Sequence, residues 1–275
     1  MSKTSEGLEI ENKFLTDQST LEELINFYSS PDIGLFVQMV ERDERVNTYC
    51  DTKKKFHLYQ RGMEFRTRDK GTEKTKTDLK TPRDLNKPEI GPNDDGLMYR
   101  GEFSAVQTNL NPKLSLACFN DSSAAPFIAD IQDKTLKEWV KGSFKRWKVT
   151  FAPAANLDST IEMALERGKF FSPDSTYESE EFFFIEFESK DGNVPALLQA
   201  IEKFKEIRGS ALTLSTRTKG EMGLEWLAQA GGIPVDLANN FRAAQDTRAK
   251  YYTKLRKDED RAKNGGQMQL NLTVT

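Results

Sequence analysis

Residues 8–13 read Leu-Glu-Ile-Glu-Asn-Lys, a strict alternation. A strand sends successive side chains to opposite faces. Glu9, Glu11 and Lys13 therefore share one face, and Leu8 and Ile10 lie on the other. The same alternation returns at Met63–Arg68, Thr75–Lys80, Tyr99–Ser104, Phe144–Val149, Thr160–Gly168 and Glu181–Glu188. A chain with charge on one face of so many strands has two ways to fold. It forms a sheet with one wet face, or it closes into a barrel with a charged interior.

Few other architectures are compatible with the chain. Its 275 residues suffice for one large β domain or two small ones. The net charge of −3 conceals 40 basic and 43 acidic residues, a near balance that gives no electrostatic case for general nucleic-acid binding. Cys50 and Cys118 make neither a disulfide framework nor a metal spacing. The opening Met1-Ser-Lys-Thr-Ser has no apolar leader, and no stretch approaches the length of a membrane span. A reducing, cytoplasmic setting is the resulting expectation. With His57 as the single histidine, a histidine-built zinc site is excluded and a Ser-His-Asp hydrolase is disfavoured. Glycine-rich phosphate loops are missing, so any phosphate must be held by side chains.

Between the strands, residues 19–30 have a helical pattern with Ser19 or Thr20 as N-cap. Residues 35–41 and 45–51 read as two strands, and 84–96 as a loop rich in Pro, Gly and Asn. Residues 108–126 are irregular. Residues 194–208 place Leu197, Leu198, Ile201 and Phe204 on one helical face. Residues 212–220 read as another strand, 222–230 and 235–262 as helices, and 264–275 as a loose tail. Trp139, Trp147 and Trp226 read as packing anchors outside the barrel, and His57 as structural. The division is one domain over 1–232, followed by a charged helix and tail over 233–275.

The inward faces offer two pools. Glu9, Glu11, Glu162, Glu166, Glu186 and Glu188 are acidic; Lys13, Arg66, Arg68, Lys76, Lys80, Arg100, Arg146 and Lys148 are basic, with Arg217 and Lys219 as further candidates. Buried charge is costly unless it is paired, hydrated or met by a ligand. A polyanion carrying a divalent cation answers both pools. Arg and Lys grip phosphate oxygens, while carboxylates suit Mg²⁺ or Mn²⁺.

At this point the residues carry a resemblance. Glu9-Ile-Glu11-Asn-Lys13 is similar to the Glu-x-Glu-x-Lys signature of the CYTH superfamily, the triphosphate tunnel metalloenzymes. In the same order, Tyr49-Cys-Asp-Thr52, Phe65-Arg-Thr-Arg68 and Thr77-Asp-Leu-Lys80-Thr-Pro resemble further family strands. Ile161-Glu-Met-Ala-Leu-Glu-Arg-Gly168 and Phe184-Ile-Glu186-Phe-Glu188 resemble segments of the bacterial inorganic triphosphatases, without the helical histidine-rich domain that often follows there. The resemblance covers roughly residues 7–228.

The resemblance implies an α+β fold, an eight-stranded antiparallel β-barrel forming a tunnel with helices packed outside. It implies metal-dependent hydrolysis of a small triphosphate; the sequence leaves monomer and homodimer both open. Glu9, Glu11, Glu186 and Glu188 would hold Mg²⁺ or Mn²⁺. Glu162, Glu166 and Lys13 would serve catalysis. Lys13, Arg66, Arg68, Lys76, Lys80, Arg100, Arg146, Lys148 and either Arg217 or Lys219 would bind substrate. The family lysine of the last segment has no clean counterpart in Ser215-Thr-Arg217-Thr-Lys219-Gly220. Nucleoside, thiamine or RNA 5′-triphosphatase and adenylate cyclase activities use the same fold. A non-catalytic polyphosphate binder is a further reading.

Overall fold

The computed structural model describes residues 4–29, 37–69, 75–82, 97–107, 115–153 and 157–271. The loop expected at 84–96, like residues 108–114, lies outside the described residues. The strands are β1 (Thr4–Leu15), β2 (Val37–Thr52), β3 (Glu64–Asp69), β4 (Thr75–Pro82), β5 (Met98–Gln107), β6 (Leu136–Phe151), β7 (Ile161–Phe171), β8 (Phe182–Ser189) and the short β9 (Thr213–Leu214). The helices are α1 (Gln18–Tyr28), α2 (His57–Gln60), α3 (Ala125–Ile128), α4 (Val194–Arg208), α5 (Lys219–Gln229) and α6 (Val235–Asn271).

The sheet runs β5-β4-β3-β2-β6-β7-β8-β1, and β1 pairs back onto β5. All these pairings are antiparallel, so eight strands close into a barrel, with β9 as an extra strand beside β1. Closure removes the free edges that an open sheet presents. The two readings left open by the alternation are thereby resolved in favour of the charged interior.

Apolar residues on the outward faces lie beneath helices. α1 and α4 bring Leu21, Leu24, Leu197, Ile201 and Phe204 onto Ile10, Phe14, Met163, Leu165, Ile185 and Phe187 of β1, β7 and β8. On the far side, Phe65, Leu79, Phe103 and Ala105 are covered by Leu116, Phe119, Ile128 and Ile131.

The inward face changes character along the barrel. β6 passes from Lys148 and Arg146 to Phe144, β7 from Glu162 and Glu166 to Phe170, and β8 from Glu188 and Glu186 to Phe184. These aromatics pack with Tyr49, Trp139 and Val140 against Met222, Leu224 and Leu227 of α5 and against Phe241 and Ala244 of α6. One part of the interior is charged, and the other is closed by an aromatic core under α5. Gly168 makes this packing possible: a Cβ there would stand 2.2 Å from the Ser143 carbonyl oxygen and 2.4 Å from the Phe144 ring.

Several local expectations are revised. Asp17 caps α1, its Oδ1 accepting from Thr20 N at 2.7 Å, where Ser19 or Thr20 was the expected cap. Residues 37–52 form one strand instead of two. The charged run Glu41–Glu44 looks like an interruption, but Lys148 and Lys145 of β6 pair with Glu41 at 3.8 Å and Glu44 at 3.6 Å. The strand expected over 212–220 is only Thr213–Leu214, because α5 begins at Lys219. The reason is a capping box. Thr218 Oγ1 accepts from Glu221 N at 3.0 Å, and Glu221 Oε2 accepts from Thr218 N at 2.8 Å. α6 continues through Asn271, past the start of the expected tail. Among the described residues no helix is long and apolar enough to cross a membrane.

Trp139 and, from α5 itself, Trp226 pack in the aromatic core. Trp147 sits on the outer face between Arg42 and Arg167. His57 Nδ1 lies 2.9 Å from Thr52 Oγ1, in a turn that Asp51 organises by accepting from the backbone N–H groups of Leu58 and Tyr59. Neither Cys50, which is buried, nor Cys118, which is half-buried, is in a disulfide.

Candidate active site

The charged part of the interior encloses a cavity of about 320 Å³. Antiparallel register sets opposite charges side by side around it. Lys13 faces Glu186, Glu9 faces Arg100, Lys80 faces Glu64 and Glu102, Arg66 faces Asp78, and Arg146 faces Glu166. Every predicted site residue except Arg217 lines this space.

Each carboxylate of the acidic pool is held by cations. Glu186 Oε1 lies 3.1 Å from Lys13 Nζ and 2.9 Å from Lys219 Nζ. Glu166 takes Lys219 at 2.5 Å and Arg146 at 3.2 Å. Glu162 takes Arg146 at 2.7 Å and Lys148 at 2.6 Å. Glu188 takes Lys190 at 2.7 Å, and Glu9 accepts from Lys80 at 2.6 Å. Glu11 is the least satisfied. Its nearest cations are Arg100 at 3.6 Å and Lys13 at 3.7 Å, and its Oε1 is buried without a hydrogen bond.

Crowding shifts the titration of these groups in opposite directions. Burial, reinforced by the Glu11 charge, pushes Glu9 up, although Lys80 opposes it. Burial acts the same way on Glu11, but Lys13 and Lys80 outweigh it and hold Glu11 down. Burial also raises Glu188, with Lys190 opposing. On the basic side, burial lowers Arg68 to about 10, helped by Arg66 and Arg45. Among the described residues the carboxylate paired with Arg68 is Asp78, at 3.8 Å, and Arg68 Nε donates to the neutral Asn47 at 2.9 Å. Among the described residues Arg68 is thus a buried cation with one long carboxylate contact.

Access to the cavity is graded. The side chains of Lys13 and Lys219 are 3% and 10% exposed, against 27% for Lys76 and 36% for Lys190. Lys76, Lys148, Lys190 and Glu102 mark the open side, and the start of α5 forms the floor. There, Gly220 N donates to Glu64 Oε2 at 2.9 Å, and Lys219 Nζ lies over the rings of Phe144 and Phe184.

Arg217 and Lys219 differ in position. Lys219 enters the cavity. Arg217 points away to Glu225 at 2.5 Å, and only its backbone carbonyl reaches the site, accepting from Lys13 Nζ at 3.3 Å. Glu64 and Glu102 also line the cavity, and Asp78 lies buried behind its wall against Arg66 and Lys76; all three stand at inward positions of the alternating segments. Arg45 and Asn47 had the same signal, alternating with Tyr49. Lys190 had none, because it follows the end of β8.

The donor set fits a hard divalent cation, since the cavity offers oxygen ligands, most of them carboxylates. Glu186, also expected to hold the metal, is taken by Lys13 and Lys219; Glu9, Glu11 and Glu188 would hold it. Glu9 feels the like charges of both others, and Glu11 keeps an orphaned buried oxygen. Among the described residues no three of these groups stand together as a ready cation cage.

No family model matches the chain, and no curated protein sequence matches it. Among solved structures it is similar to the S. pombe Pct1 RNA triphosphatase, at 13% identity and a TM-score of 0.32, over 74% of this chain and 84% of that one. The same enzyme in complex with the Spt5 CTD gives 12% identity and a TM-score of 0.33, with the same coverage. The barrel assignment rests on the strand pairing within the chain itself.

Proposed function

We propose that this chain is a metal-dependent triphosphatase, and that its substrate is inorganic triphosphate or a similarly small triphosphate. The observation that carries this reading is the charge of the cavity wall, where among the described residues eleven cationic and eight acidic side chains meet. The excess is positive although every acid of the pool already has a cation beside it. A triphosphate carries about four to five negative charges near neutral pH, by analogy with phosphomonoesters. With one divalent cation bound, the complex carries about −3, which matches the excess.

Binding then proceeds by exchange of partners. Lys80 would turn from Glu9 to phosphate oxygens and Glu9, Glu11 and Glu188 would hold the metal, while Lys13, Lys219 and Arg146 reach phosphate oxygens without leaving Glu186, Glu166 and Glu162. No charge is left buried and alone, the arrangement that costs most. Arg68 and Arg66 take phosphate in bidentate fashion. When bound, the metal supplies charge neutralisation across the phosphate oxygens. Glu162 and Glu166, held by Arg146, orient the attacking water and accept its proton. The cavity lies at the small end of the ~300–1,000 Å³ range of ligand sites, which supports a compact phosphate substrate.

Replacing Glu9 and Glu11 by Gln tests the reading. Turnover of inorganic triphosphate collapses while phosphate binding persists. A wild-type protein that binds triphosphate without ever turning it over would make the chain a binding module instead.

A further inference from the structure

Glu221 is 2% exposed and lies outside the cavity wall, yet it is held from two sides. Its Oε2 closes the capping box at Thr218 N. The same carboxylate takes Arg248 of α6 in a two-point grip, Nε donating to Oε1 at 2.9 Å and Nη2 lying 2.8 Å from Oε2. The Arg248 guanidinium is stacked between Tyr59 and Tyr252, at 5.3 and 4.7 Å from their ring centres. Tyr252 is itself seated against Gly62, where an added Cβ would meet its hydroxyl. Two residues before Glu221, Lys219 extends into the cavity to Glu166 and Glu186, and between them Gly220 N donates to Glu64.

We infer that Arg248 is a positioning residue: by gripping Glu221 it fixes the first turn of α5, and thereby holds the Lys219 ammonium inside the cavity. α6 on this account does more than cover the barrel end. Its effect on the cavity depends on whether Arg248 is engaged. The physical basis is that an unpaired buried carboxylate is strongly unfavourable. Without Arg248, Glu221 must reach water, and leaving its buried position opens the capping box that starts α5. The conformational part stands on the contacts alone, whereas the effect on ligand affinity rests on the triphosphate reading above.

Arg248→Met keeps the aliphatic stem and removes the grip. Arg248→Lys keeps the charge without the two-point geometry, and serves if Arg248→Met fails to fold. Two measurements are made on the full chain, hydrogen exchange of the peptide spanning 215–222 and calorimetric binding of inorganic triphosphate with Mg²⁺. We expect faster exchange in that peptide, with the α1–α4 face unchanged. We also expect about tenfold weaker binding, a loss that should vanish in a Lys219→Met background, because residues acting as a unit are non-additive. Unchanged exchange overturns the inference. So does an Arg248→Met penalty of the same size in both backgrounds, which would mark a general loss of stability. If the wild-type protein binds no triphosphate, the functional reading falls, and the exchange measurement alone decides the inference.

Discussion

Lys13 and Glu186 are direct partners across the β1–β8 ladder, and their side chains meet at 3.1 Å inside the barrel. Burial opposes the charge on Lys13, and Glu11 and Glu186 outweigh it, raising its pKa. The lysine is therefore cationic at every physiological pH and fixed where two strands put it. Lys13→Met should lower turnover of triphosphate by at least about a hundredfold, on the scale of removing one preorganised charge-stabilising group. A double-mutant cycle with Glu186→Gln should show coupling of about 1–3 kcal/mol in stability, read from denaturant unfolding.

The two candidate cations of the last segment should behave differently. Lys219→Met is expected to weaken triphosphate binding about tenfold or more, the loss of one charge-assisted contact at roughly 1.5–3 kcal/mol. Arg217→Met should leave binding essentially unchanged, because its guanidinium pairs with Glu225 outside the cavity. Calorimetric titration of both variants distinguishes them.

Metal and triphosphate should each strengthen the other. Either one alone takes only one half of the Lys80–Glu9 pair and leaves the other half buried. The expected coupling is in the range of about 5–150-fold and is reciprocal. Titrating Mg²⁺ with and without triphosphate, and triphosphate with and without Mg²⁺, must give the same factor. Independent binding would contradict partner exchange.

Glu9 gives the binding a pH dependence. Its carboxyl is raised in the ligand-free protein, first by burial and then by Glu11. A metal ligand must be deprotonated, so affinity for the metal–triphosphate complex should rise with pH through that raised range, and proton release should accompany binding. The same shift has the opposite sign for folding. A carboxyl raised in the folded state contributes stability while it is protonated, and that contribution is lost as pH rises through the folded value. Binding in buffers of different ionisation enthalpy, with Glu9→Gln as control, measures the released proton.

Gly168→Ala tests the aromatic floor. The new methyl would collide with the Ser143 carbonyl and the Phe144 ring. Overpacking in a filled core costs typically about 1–3 kcal/mol, and the backbone clash puts this substitution at the upper end. Thermal unfolding of the variant, compared with Gly209→Ala where a Cβ meets nothing within 4 Å, isolates the effect.

The barrel was legible because its strands alternate. With charge inward and apolar residues under helices, each of the main segments declares both faces, and Glu9, Glu11, Lys13, Arg66 and Arg146 could be placed from parity alone. Two kinds of information were not local. The run Glu41–Glu44 looks like a break until the lysines of β6 neutralise it. Lys219 looks like a strand residue until Thr218 and Glu221 are seen to close a capping box. Lys190 could not be found from pattern at all, since it reaches Glu188 and Glu162 from the turn after β8. The switch from charged to aromatic lining was present in the letters, as Phe144, Phe170 and Phe184 share the inward parity of the charges. Its meaning depended on α5, whose position no single segment specifies.

Phosphate release from inorganic triphosphate, ATP and GTP, each with Mg²⁺, with Mn²⁺ and with EDTA, bears most directly on the account. It predicts orthophosphate release from inorganic triphosphate in the presence of metal, preferred over both nucleotides and abolished by EDTA. Pyrophosphate released from ATP without orthophosphate, or no turnover of any of the three, would contradict it.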